Sequence, residues 1–176
     1  PNNLIKRMNF MHYHHRDNFI SSVLSFFILT LFSNSIFANA DSDIEFIISA
    51  KKPPKGVVFE IVAGSESALK PALDKVDGYI SRLKKAIPNI KLSIVTHGTE
   101  EFALLNENKK RFNSAHQKVK SLVSNDVPVH VCGTHASWYD FSEKDFPKYV
   151  DVVVAGPAKV KEYQRQGYAL INVEVP

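Results

Sequence analysis

The chain has 176 residues, 44 % of them hydrophobic and 23 % charged, with 22 Lys and Arg against 18 Asp and Glu and a single cysteine. One cysteine excludes a disulfide-stapled scaffold, and no internal repeat interrupts the ordinary globular composition. The first 40 residues hold three of the basic residues and one acidic one, so the rest carries a net charge of only +2, which gives no case for nucleic-acid binding.

Lys6, Arg7 and Arg16 precede a nearly apolar run from Phe19 to Phe37, and Ala38-Asn39-Ala40 closes it. A basic start, an apolar core over Val23–Phe32 and a small-residue exit form the pattern of a secretory signal peptide. The expectation is a leader over residues 1–40, cleaved after Ala40, with no membrane segment left afterwards. A run of about 19 residues could also just span a bilayer. Ser33, Asn34 and Ser35 break it, however, and no basic cluster follows to stop transfer.

Residues 41–56 include Lys51-Lys52-Pro53-Pro54-Lys55-Gly56 and read as an exposed, extended lead-in, because paired prolines deny helix and ladder bonding alike. A single domain over residues 57–176 follows. Val57–Val62 is a β-branched apolar run and predicts the first strand. Ala72, Val76, Tyr79, Ile80, Leu83 and Ile87 recur at helical spacing, with Pro71 in the first turn and Pro88 after the end. Lys91–Thr96 predicts a second strand, and Phe102–Leu105 a short helix. Lys109-Lys110-Arg111 reads as the solvated start of a helix through Phe112, Ala115, Val119, Leu122 and Val123. Val127–Cys132 and Asp151–Val154 predict strands three and four. Pro157 opens a helix that Gly167 caps, and Tyr168–Val175 is the last strand. Continuous apolar strands alternating with amphipathic helices imply an α/β fold, a mostly parallel five-stranded sheet covered on both faces in three α/β/α layers.

In a parallel sheet, the carboxyl ends of the strands share one edge, where such folds place their chemistry. Three strand ends carry polar residues there: Gly64-Ser65-Glu66, His97-Gly98-Thr99 and Cys132-Gly133-Thr134-His135. Gly64, Gly98, Gly133, Thr134 and His135 are therefore candidate pocket residues around Cys132. A thiol at a helix amino end meets free N–H groups that favour the thiolate, whereas a free cysteine is also among the most buried residue types. His97 can serve as a base or anion donor, or it can cap the strand end. His130 shares a strand face with Cys132, which allows a Cys–His pair or simple core packing. His135, Trp138 and Tyr139 suggest an aromatic loop over the pocket. Cys132, His130 and His135 lack the spacing of a zinc site. Gly64-Ser65-Glu66-Ser67 lacks the features of a phosphate-cradling loop, and there is no G-x-S-x-G elbow. No metal or cofactor is expected.

The blocks Val129–Thr134, Phe146–Ala158 and Tyr163–Ile171, together with Thr96-His97-Gly98, resemble the DsrE/DsrF-like sulfur-relay family from Gly56 to Val173. The resemblance implies a DsrE-like five-stranded α/β fold that assembles as a homo-oligomer, a trimer or hexamer. It also implies that Cys132 occupies the position that carries sulfur as a persulfide, and it extends to His97 as a second catalytic residue that, with the backbone around Gly133, favours the anion. An export signal departs from the family's cytoplasmic relay members. The expected function is thus periplasmic handling of sulfane sulfur, a sulfurtransferase-type activity with an unnamed donor or acceptor. The rival is a non-catalytic oligomeric protein that binds a small ligand in a pocket lined by Cys132. A thiol–disulfide oxidoreductase ranks last, for want of a resolving cysteine.

Overall fold

Five strands rich in Val, Ile and Leu form one parallel sheet in the computed structural model, which describes residues 39–175. They are β1 (Gly56–Ile61), β2 (Lys91–Thr96), β3 (Val129–Cys132), β4 (Asp151–Val153) and β5 (Tyr168–Val173), in the spatial order β4-β3-β2-β1-β5. Every neighbouring pair is parallel. β3 starts two residues later than the apolar run suggests, because Pro128 has no N–H to give a ladder; its carbonyl still accepts the Ile94 N–H at 2.9 Å.

Side chains alternate across the sheet, as the period of two requires. Val57, Phe59, Ile61, Leu92, Ile94, Val129, Val131, Ile171 and Val173 enter the main core. That core also takes the apolar faces of α1 (Ala40–Ser49), α2 (Leu69–Ala86) and α3 (Asn113–Ser124). The other face carries a smaller core of Val58, Val95 and Val160, the last from α5 (Gly156–Arg165). Between β3 and β4 lies the five-residue helix α4 (Gly133–Ser137). The fold is thus three-layer α/β/α around a five-stranded sheet. Lys84 and Lys85 close α2 near its negative dipole end. Gly167, at φ +93°, takes the left-handed conformation after α5 that glycine adopts most readily.

The lead-in expected over residues 41–56 is free of helix only from Ala50 onward. Ala40–Ser49 is helical instead. The Asn39 side chain accepts the Asp41 N–H at 3.1 Å as an N-cap, Asp41 and Asp43 stand in the first turn, and Ile44 and Ile47 pack into the core. Arg82 of α2 donates to Asp41 at 2.7 Å and to Glu45 at 2.6 Å, fastening this helix to its neighbour. The Lys109-Lys110-Arg111 run likewise precedes α3 rather than starting it, and Arg111 pairs with Glu66 at 3.0 Å. Phe19–Phe37, the apolar part of the expected leader, lies outside the described residues. Among the described residues, no helix is long and apolar enough to cross a membrane.

Candidate functional site

Cys132 is the last residue of β3 and the N-cap of α4. Its Sγ accepts the backbone N–H of His135 at 3.4 Å, and the residue is 4 % exposed. Thr134 fixes the start of α4 to the end of β4: its N–H and its hydroxyl both bond the Val154 carbonyl, at 3.0 and 2.6 Å. Gly133 faces the same strand, since a Cβ there would lie 3.1 Å from the Val153 carbonyl. The close approach that this glycine makes is to β4.

Two buried carboxyl groups lie on the 3-10 turn Thr99–Leu104 that follows β2. Glu100 is saturated with donors: the Thr96 hydroxyl at 2.5 Å, the Gly98 N–H at 2.9 Å and the Ala63 N–H at 2.5 Å. Gly98 must be bare here, because a Cβ would sit 2.6 Å from the Ala63 carbonyl. Glu101 reaches the thiol's own residue. One of its oxygens accepts the Cys132 N–H at 2.7 Å, and the other meets His135 Nδ1 at 2.8 Å. Its side chain has no exposure. Burial pushes the Glu101 carboxyl up to about 8; neighbouring Glu100 adds to the rise, while the Cys132 N–H and His97 oppose it. The sequence gives no sign of this residue, since a glutamate beside a second glutamate reads as solvated surface.

The His135 ring lies flat against Phe102 at 5.0 Å, with Trp138 and Tyr139 edge-on at 5.6 and 5.4 Å. Trp138 and Tyr139 are themselves exposed, at 73 % and 53 %. The aromatic loop thus wraps the histidine next to the thiol.

His97 is held elsewhere, its Nε2 2.8 Å from Glu60 on β1. Its ring rests on Gly156 at the start of α5, where a Cβ would come within 2.6 Å of the His97 Cβ. No hydrogen bond joins it to Cys132. Gly64 has open space around it, and no described contact ties it to the thiol. His130 shares the face of Cys132, but its ring is engaged by Asp151 at 2.6 Å and Tyr163 at 2.9 Å, which makes it a packed partner of α5. Burial lowers its basicity against the pull of Asp151. Among the described residues, no cluster of three His, Cys, Asp or Glu is placed to hold a metal ion. A cleft of about 980 Å³ lies at another place, lined by Lys120, Lys144, Phe146, Lys148 and Tyr149 among others, and includes none of these groups. The strand order reverses between β1 and β5, so Cys132 sits on the carboxyl edge but away from that reversal.

These features place the chain in the class of small parallel α/β proteins, with its one thiol at the carboxyl end of an inner strand, capped by a short helix. Within that class, residues 55–173 match the model of the DsrE/DsrF-like family, and the chain belongs to that family. Among solved structures, it is similar to protein of unknown function MTH1491 from Methanobacterium thermoautotrophicum, at 21 % identity and a TM-score of 0.54, over 66 % of this chain and 96 % of that one. That likeness concerns the fold alone. No curated protein matches the chain.

Proposed function

We propose that this DsrE/DsrF-like protein is an exported carrier of sulfane sulfur, with Cys132 as the residue that bears the persulfide. The observation behind the reading is the thiol's place: the end of β3, with an N–H donor on Sγ at 3.4 Å, in a chain of this family. The thiolate attacks the outer sulfur of a donor persulfide. A bond forms between that sulfur and Sγ, the donor's S–S bond breaks, and its electron pair leaves on the donor as a thiolate. No net oxidant is consumed. Passing the sulfur onward repeats the exchange, with Cys132 as the leaving group. The working form is a homo-oligomer in the periplasm. Exposed Val62 and Val154, at 56 % and 86 %, support association at the sheet's carboxyl edge.

One observation favours the rival reading. At 4 % exposure, Cys132 resembles a residue that lines or packs a site more than one that meets a donor freely. Incubation with polysulfide, or with thiosulfate and a sulfurtransferase, separates the two. A carrier gains one sulfur atom, about 32 Da by intact mass, and Cys132→Ser gains none. A folded wild type that gains nothing leaves the ligand-binding reading in its place. Sedimentation that gives a clean monomer at micromolar concentration removes the oligomer from the proposal.

A further inference from the structure

The Glu101–His135 pair has no assigned task, and its geometry is costly. Glu101 is fully buried, and among the described residues neither it nor Glu100 pairs with a lysine or arginine. Glu100 accepts from three donors. Glu101 has only the Cys132 N–H and the His135 ring. Two buried carboxylates side by side do not both ionise readily, so one proton stays on the Glu101–His135 unit. With that proton the unit is neutral, whichever of the two atoms holds it. The faces and edges of Phe102, Trp138 and Tyr139 keep the ring in place. His135 Nε2 has no partner among the described residues, and it is not sealed from solvent.

We propose that Glu101 and His135 are positioning residues for the chemistry of Cys132: together they clamp the thiol's backbone and the N–H that faces Sγ, and the single proton they share keeps that neighbourhood uncharged. The inference deepens the carrier reading and rests on it for its purpose, though its test does not need a sulfur donor. Glu101 touches the backbone on one side of Sγ, and its partner residue supplies the N–H on the other. Loss of the shared proton therefore puts a negative charge beside the sulfur without moving any chain. A thiolate or persulfide anion is disfavoured by that charge, in a site too dry to screen it. The titratable groups facing Glu101 are Glu100 on its own turn, His97 after β2, Cys132 on β3 and His135 on α4, with Glu60 behind His97 and Tyr139 beside His135.

Glu101→Gln is the discriminating variant. An amide in that place keeps the acceptor for the Cys132 N–H and donates to His135 Nδ1, as the protonated carboxyl does, but it cannot lose the proton. The experiment follows the rate of Cys132 alkylation by iodoacetamide from pH 5 to 10. The wild type is expected to show two inflexions, one of them reflecting the pair's own titration. The variant is expected to show one, and to react up to roughly tenfold faster than wild type where the pair has lost its proton and the thiol is still mostly protonated, the two rates converging once the thiol is fully ionised. The His135 ring resonance of the wild type, followed by NMR, is expected to shift through the inflexion that the variant lacks. A single-step wild-type profile that superimposes on the variant's overturns the inference. So does a His135 resonance that stays still across the inflexion, which covers the case of a variant that does not fold. A normal alkylation contrast without sulfur uptake sinks the carrier reading and leaves this one standing.

Discussion

Glu101 also sets how stability responds to pH, and the sign follows from its burial. The carboxyl has an ordinary value of 4.5 and is pushed up to about 8 in the fold, chiefly by burial. A group whose folded value is raised holds its full stabilising share below the unfolded value and loses it as pH climbs through the folded one. The window is therefore pH 4.5 to 8. Each pH unit inside it costs about 1.4 kcal/mol, so from pH 5.5 to 7.5 the loss reaches roughly 2.7 kcal/mol as a ceiling, lowered to the extent that His135 shares the proton. Buried His116 and His130 oppose this trend: burial lowers both, so they add stability as pH rises toward the ordinary value of 6.5. Both are present in Glu101→Gln as well, so the difference between the two proteins isolates residue 101. Urea unfolding at pH 5.5 and 7.5 should show the wild type losing about 1–3 kcal/mol relative to Gln as pH rises. Parallel stability curves, or a wild type that gains on the variant, would refute the burial argument.

Three further outcomes follow from the packing. Tyr163→Phe removes the 2.9 Å partner of buried His130 Nε2 and should cost about 1–2 kcal/mol in urea unfolding, while Cys132 alkylates at the wild-type rate; a changed rate would reinstate His130 as a partner of the thiol. Gly98→Ala should destabilise by roughly 1–3 kcal/mol, because its Cβ would press on the Ala63 backbone 2.6 Å away; a neutral effect by thermal unfolding would show that the turn yields. Cleavage after Ala40, read by the intact mass of the exported protein, removes the Asn39 cap of α1, so a chain starting at Asp41 should be about 0.5–2 kcal/mol less stable than one starting at Asn39. Retention of Phe19–Phe37 in the mature species would point to an anchor.

The strands are legible because apolar β-branched runs leave few alternatives: Lys91–Thr96 falls where the pattern puts it, and Gly56–Ile61 lies one residue before the expected Val57–Val62. Cys132 at a strand end was legible for the same reason. Helix α1 is masked in the sequence by Pro53-Pro54, which mark residues 41–56 as extended, although Asn39, Asp43, Ile44 and Ile47 carry the signature of a capped amphipathic turn. Glu101 could not be found this way. Its burial comes from the packing of a 3-10 turn against β3 and α4, which no local spacing reports. His130 and His97 show the converse: each sits at a suggestive position, and each is engaged by a carboxylate on a neighbouring strand, Asp151 and Glu60, that only the strand order brings near.

The central claim is that Cys132 carries sulfur, which requires both uptake and release. The most direct measurement isolates the loaded protein free of its donor, mixes it with a low-molecular-weight thiol, and follows intact mass with time. A carrier returns to its starting mass, losing about 32 Da as the acceptor becomes a persulfide. A protein that never takes up the sulfur, or takes it up and cannot give it back, would contradict the claim.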